Sequence, residues 1–282
     1  MDIAAKFIYW SQLTPEMKSE CVKHLDFLTR IKFRNMSKSD QAVVNSTKFD
    51  VEKVSITNDS YGEFLEIEVN KEDKFKMMAE DQAVLVNQMV PLLAFVIKCG
   101  VIDEFVCDID DLPESAINVL RECGQMRFKI INGRSSAQML LFLEQCLGSI
   151  VESVSLSTWN GVPVPFDRIM AIGSLRKVKR WNLQTVEEDD CLTRMAQRWI
   201  DVDAEEGTEL CITVPRISTA FTNFSTAFRD RIEDEEAGRK IRIRLNGEKH
   251  ISLHSGTVGH YRLFVRSARS RSPIRRAPIR IF

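Results

Sequence analysis

Histidine is scarce, four in 282 residues, and no CxxC pair occurs, so the residue sets that build most zinc sites and redox centres are missing. Three of the four, His250, His254 and His260, crowd the C-terminal part, and His24 stands apart. His250 and His254 are four apart, but Ile251, Leu253, Gly256 and Gly259 fit strand and turn, not the helix on which that spacing seats a metal. No GxxxxGKS/T, GxSxG, HExxH or GxGxxG sequence occurs, which removes the common phosphate-cradling, serine-nucleophile, metalloprotease and dinucleotide signatures. Cys191 follows the acidic run 187–190, whose carboxylates raise a thiol pKa and make a poor nucleophile. The expectation is a non-enzymatic protein with no cofactor and no metal. An unbroken apolar run of the ~20 residues a bilayer requires is also missing. The nearest, 83–97, is interrupted by Asn87, Gln88 and Pro91, and residues 1–10 lack the basic flank and apolar core of a secretory signal. The seven cysteines are odd in number and dispersed, as in reduced thiols. An intracellular chain, cytoplasmic and/or nuclear and without a membrane partner, is therefore expected.

Charge is abundant but balanced, 39 Lys and Arg against 40 Asp and Glu, which argues against a surface built as a whole for nucleic acid or anionic lipid. The balance is uneven along the chain. After Glu248 there is no acidic residue and the remainder carries +8, so 1–248 carry −9. Residues 266–282 combine six Arg with Ser267, Ser270, Ser272, Pro273 and Pro278, a composition that forms no packed element and reads as a flexible basic tail. Phosphate attraction gives that tail one reading, RNA contact or nuclear import; a passive solubilising end is the other.

With 44% hydrophobic residues the chain can bury one large or two small cores. Residues 8–47 predict three short helices. Thr14 caps the first, with Pro15 and Glu16 in its first turn and Met17, Cys21, Val22 and Leu25 at helical spacing. Asp26 caps a second that carries Leu28, Ile31, Phe33 and Met36, and Ser37 or Ser39 caps a third. From 51 onward strands are expected over 51–57, 64–69, 105–109, 126–131, 154–159, 178–183, 210–214, 241–245 and 261–265. Helices are expected between them over 75–99, 114–123, 134–148, 165–173, 189–202 and 218–236, with 233–236 as a solvated acidic end. From Met126 the strand starts are spaced by 28, 24, 32 and 31 residues, so one strand and one helix recur. This predicts an α/β fold with parallel strands in a leucine-rich-repeat-like arc, although the strict LxxLxL spacing is missing; an open α/β sheet shares the rhythm.

The segment LTPEMKSECVKHL over 13–25, followed by Asp26 and by FRNMSK over 33–38, resembles an F-box. Leu13, Glu16, Met17, Cys21, Val22, Leu25, Phe33 and Arg34 fall on the family's positions without a gap. Thr14 stands where the family has proline, with Pro15 one place late, and Asp40 stands where a tryptophan is common. Trp10, the STKF and VSI runs over 46–49 and 54–56, WNGVPVPF over 159–166 and MAQRWID over 195–201 are similar to the expanded F-box family of nematodes and its associated C-terminal region. The resemblance implies a box over 8–47, a substrate-holding region over 51–265, and an adaptor that docks on the Skp-type linker of a cullin–RING ubiquitin ligase. The linker-facing residues it implies are Leu13, Pro15, Glu16, Met17, Cys21, Val22, Leu25, Ile31 and Phe33. An intracellular repeat scaffold without ligase docking is the alternative. For the protein substrate, whose identity is unknown, the open strand side of an arc points to Trp159, Arg180, Trp181 and Arg216. Core packing is the competing role for Trp159, Trp181 and Trp199.

Overall fold

The computed structural model describes residues 9–59, 62–109, 112–158, 163–215, 217–236, 238–257 and 259–268, and the chain divides into two compact units, 1–175 and 176–282. The fold is mixed α/β. Three helices open the first unit: α1 (Pro15–Lys23), α2 (Phe27–Arg34) and α3 (Lys38–Ser46). Each starts where a short polar side chain accepts from an otherwise orphaned amide: Thr14 from Met17, Asp26 from Thr29, Ser37 from Asp40. The expected caps are thus in place, with Ser37 rather than Ser39 as the third.

In the first unit β1 (Phe49–Asp59), β2 (Gly62–Glu68) and β3 (Lys74–Ala79) pair antiparallel, and β4 (Gly100–Asp108), β5 (Phe128–Arg134) and β6 (Ser153–Ser157) add to β1 in chain order and in parallel. The crossovers are helical, as parallel neighbours require. A short α4 (Gln82–Val84) runs through a π-helical stretch, Leu85–Met89, into α5 (Val90–Cys99); α6 (Glu114–Arg121) and α7 (Ala137–Gln145) follow, and α8 (Phe166–Ala171) comes after β6. Helices α5 to α8 pack each on the next. The continuous helix Gln82–Cys99 is long and apolar enough to cross a membrane by length and composition, but eight of its residues, including Met89, Leu93 and Val96, are buried inside the protein.

The strands share one spacing of inward side chains, i, i+3 and i+5. It is filled by Val51, Val54 and Ile56, by Ile102, Phe105 and Cys107, and by Val151, Val154 and Leu156, all buried. Phe128, Ile131 and Gly133 occupy the same places in β5. The register aligns these positions across the sheet, Val54 beside Phe105, Phe105 beside Ile131 and Ile131 beside Val154. Phe105 and Phe128 stack at 4.4 Å and Phe142 of α7 meets Phe105 edge-on at 4.7 Å, so the helix layer closes over this row. The strict LxxLxL pattern is missing as expected, and the i, i+3 and i+5 places are filled by Val, Ile, Phe, Cys and Gly together with one leucine, Leu156.

The second unit has the strand order β7-β8-β12-β11-β10-β9. β7 (Arg180–Leu183) and β8 (Glu209–Thr213) are parallel and joined through α9 (Cys191–Asp201). After α10 (Ala220–Ala227), strands β9 (Ile232–Glu236), β10 (Lys240–Arg244), β11 (Lys249–Ser255) and β12 (His260–Ser267) form an antiparallel meander, and β12 returns to pair with β8. The spacing i, i+3, i+5 recurs once more in Val178, Trp181 and Leu183.

Four expectations are corrected. The helix expected over 75–99 begins at Gln82, because the side chains of KFKMMA over 74–79 alternate between more and less exposed and the segment forms β3. The helix expected over 218–236 ends at Ala227, and Glu233 to Glu236 belong to edge strand β9, where Asp234 and Glu233 meet Lys240 and Arg242 of β10. The repeat rhythm therefore stops at β8, since the interval to 241 delivers an antiparallel strand. The tail starts later than 266, because Arg266 and Ser267 pair in β12 with His250 and Lys249; residues 269–282 lie outside the described residues.

Candidate functional site

The helical unit carries a concentration of exposed apolar side chains. Its own core is small: Val22, Phe27, Phe33 and Val44 are buried. Among the described residues seven large apolar side chains are exposed, and four of them, Tyr9, Met17, Leu28 and Met36, lie within this unit. Leu13, Cys21, Leu25 and Ile31 are half-buried beside them, and Pro15 and Glu16 are exposed. Met17 and Cys21 are four apart and share one face of α1, with Leu13 in extended backbone just before the Thr14 cap. Of the nine side chains expected to face a linker, seven thus reach the surface at least in part. Val22 and Phe33 are the exceptions: they build the unit's interior.

Polar side chains hold this patch rigid. Asp40 is buried, and its carboxylate accepts from Trp10 Nε1 at 2.6 Å and from Ser37 Oγ at 2.6 Å. The Trp10 ring meets Phe33 edge-on at 4.6 Å, and Lys18 Nζ sits 5.3 Å from its centroid. Arg30 is the second clamp. Its buried guanidinium donates to the carbonyls of Lys23 (2.8 Å) and Leu25 (3.0 Å), at the end of α1 where the helix dipole is negative, and lies 5.0 Å from the Phe49 ring. Burial holds the Arg30 pKa below its ordinary value. The sequence offered no sign of either clamp beyond the residue types.

The four residues expected on a substrate surface are not brought together. Trp181 is buried, with its Nε1 donating to the Val178 carbonyl at 3.2 Å, while Arg180 is exposed. Neighbouring residues of a strand point to opposite faces, so the two cannot share a surface, and Trp181 goes to the core. Trp199 is buried as well. Trp159 and Arg216 lie outside the described residues.

The titratable groups do not converge. Burial pushes the Cys191 thiol up to about 12, with Glu188, Asp190 and Asp189 adding to it, and burial likewise pushes Cys123 and Cys211 to about 11. Asp189 is held low by donation from Ser218 Oγ (2.6 Å) and Thr219 Oγ1 (2.9 Å), which ties the segment after β8 to the segment before α9. Among the described residues no three of His, Cys, Asp and Glu are grouped to hold a metal ion. His250 and His254 point to one face of β11, two pleats apart and separated by Ser252. No family model, curated protein or solved structure matches the chain.

Proposed function

We propose that the chain is a substrate-recognition adaptor of a Skp–cullin–F-box ubiquitin ligase, docking the Skp-type linker through 8–47 and holding a protein substrate through 51–265. The observation that carries this is the concentration of exposed apolar side chains, Tyr9, Met17, Leu28 and Met36, on a three-helix unit whose own core is only a few residues. Such a surface is stable in water when a partner covers it. The docking set narrows to Leu13, Pro15, Met17, Cys21, Leu25 and Ile31, with Glu16 at the polar rim. The two departures from the family pattern have structural roles of their own: Thr14 caps α1 and Asp40 anchors Trp10. In favour of a leucine-rich-repeat-like arc stands the recurrence of i, i+3, i+5 positions in consecutive parallel strands. No catalytic role is assigned to any side chain in this reading, and neither cofactor nor membrane enters it.

The test is calorimetric titration of the full chain with the linker. Binding is expected, and Met17→Asp should abolish it while leaving the melting curve in place, because the side chain is exposed. Absence of binding by the folded wild type overturns the proposal and leaves the repeat scaffold. Val22→Asp and Phe33→Asp are uninformative controls, since they unfold the unit.

A further inference from the structure

The outward face of β10, β11 and β12 carries charge of one sign. No residue of these three strands is acidic. Their inward side chains, among them Ile241, Ile251, Leu253 and Leu263, are buried, and Tyr261 stacks on Phe221 of α10, so the helices cover that side. The register then aligns the alternate residues on the opposite side. Arg244, His250 and Arg266 form one cross-strand row and Lys240, His254 and Arg262 another, with Arg242, Ser252 and Phe264 between them. His250, Ser252 and Phe264 are buried and form the floor between the cations, with Arg266 4.5 Å and His254 4.8 Å from the Phe264 ring centroid.

The counter-charges come from the flanking strands. Glu209 of β8 pairs with Arg262 at 2.6 Å and Asp234 of β9 with Lys240 at 2.9 Å, whereas Glu233 reaches Arg242 and Arg244 only at 3.7 and 3.9 Å. Arg242 Nε is buried without a hydrogen-bond partner, and Arg266 has no carboxylate within 4.0 Å among the described residues. Neutralisation is least complete at Arg266, while Arg242 and Arg244 share the single carboxylate of Glu233 at the outer limit of ion-pair range.

We propose that this face docks an extended acidic polypeptide segment with Asp or Glu at alternate positions. Along β10 the cations Arg244, Arg242 and Lys240 are two residues apart, roughly 6.8 Å per step in a strand, which is also the step between alternate side chains of an extended peptide. Guanidinium forks recognise planar carboxylates through paired hydrogen bonds. Single-stranded nucleic acid fits less well: it binds on exposed aromatic platforms, and the one ring in the centre here is covered. The inference deepens the adaptor reading by naming the chemistry of what the C-terminal region holds. It is tested without the linker, so either can fail alone.

The experiment is fluorescence anisotropy of the full chain with a labelled peptide carrying glutamate at alternate positions, beside its glutamine analogue and an oligouridine of equal length. The glutamate peptide is expected to bind, to weaken as salt is raised, and to lose at least about tenfold in affinity with Arg242→Gln/Arg266→Gln. Arg266→Gln alone, which removes no ion pair, guards against a folding defect and should give part of that loss at an unchanged melting temperature. A variant with Arg269, Arg271, Arg275, Arg276 and Arg280 changed to Gln should bind as the wild type does. The proposal is overturned if the glutamine peptide binds equally, if the strand variants bind normally, if the loss follows the tail variant, or if oligouridine binds more tightly.

Discussion

Trp10 Nε1 donates to the buried carboxylate of Asp40 at 2.6 Å, across thirty residues, and in doing so lays the Trp10 ring edge-on against Phe33. An aspartate at a position where a tryptophan is common in the resembling family is thereby matched by a tryptophan arriving from in front of α1. The pair pins the segment before α1 to the start of α3, just after the exposed Met36.

Asp40→Ala strands a half-buried indole N–H and the Ser37 hydroxyl, and should cost ~1–3 kcal/mol in urea unfolding. Trp10→Phe keeps the ring and removes only the donor. A double-mutant cycle of the two should return a coupling of ~1.5–3 kcal/mol, the range for a hydrogen bond to a charged group. A coupling near zero would mean that the ring packing alone holds the segment.

Arg180 and Trp181 should separate cleanly. Trp181→Ala empties a buried site and is expected to lower stability by ~3–5 kcal/mol. Arg180→Ala, on the exposed side of the same strand, should change it by less than ~1 kcal/mol. Thermal melts of both variants check this, and equal losses would contradict the pleat assignment.

The helices of the first unit were legible because caps and apolar spacing agree: Thr14, Asp26 and Ser37 each sit one residue before a periodic stretch. The strand–helix alternation was legible for the same reason. The i, i+3, i+5 spacing was hidden because the inward sites accept any side chain that fills the volume, as Phe105, Trp181 and Cys107 do, and not leucine alone. Edge strand β9 was hidden because its carboxylates look like a solvated turn until Lys240 and Arg242 are known to lie beside them. The basic face was equally invisible. Its cations are scattered over 240–266, and only the antiparallel register collects them into rows.

Gly133→Ala probes the third place of the β5 spacing. The residue has φ +152°, and a β-carbon there would collide with the Cys107 carbonyl of β4, a backbone atom that cannot swing aside. Strain and clash together should cost ~3 kcal/mol or more, measured by denaturant unfolding. A loss below ~1 kcal/mol would show that β4 and β5 part easily at this level.

His250 and His254 give the second unit a stability that falls on acidification. Burial is the main cause that lowers both pKa values below 6.5; Arg242 adds to it at His250 and Lys240, Arg266 and Arg262 at His254, against the weaker pull of Glu233 and Glu236. In the unfolded chain each imidazole takes up its proton near 6.5, earlier than in the folded one, so protonation favours unfolding. Their contribution is fully present above 6.5 and is lost as the pH falls from there through the lowered folded-state values. Denaturant unfolding of the full chain between pH 7.5 and 5 should therefore show declining stability over that window. The decline should flatten in His250→Gln/His254→Gln, whose side chains do not titrate. Saturating glutamate peptide should reduce it too, because carboxylates brought to the face raise both folded-state pKa values toward 6.5. An equally steep decline in the double variant would assign the acid sensitivity to other groups.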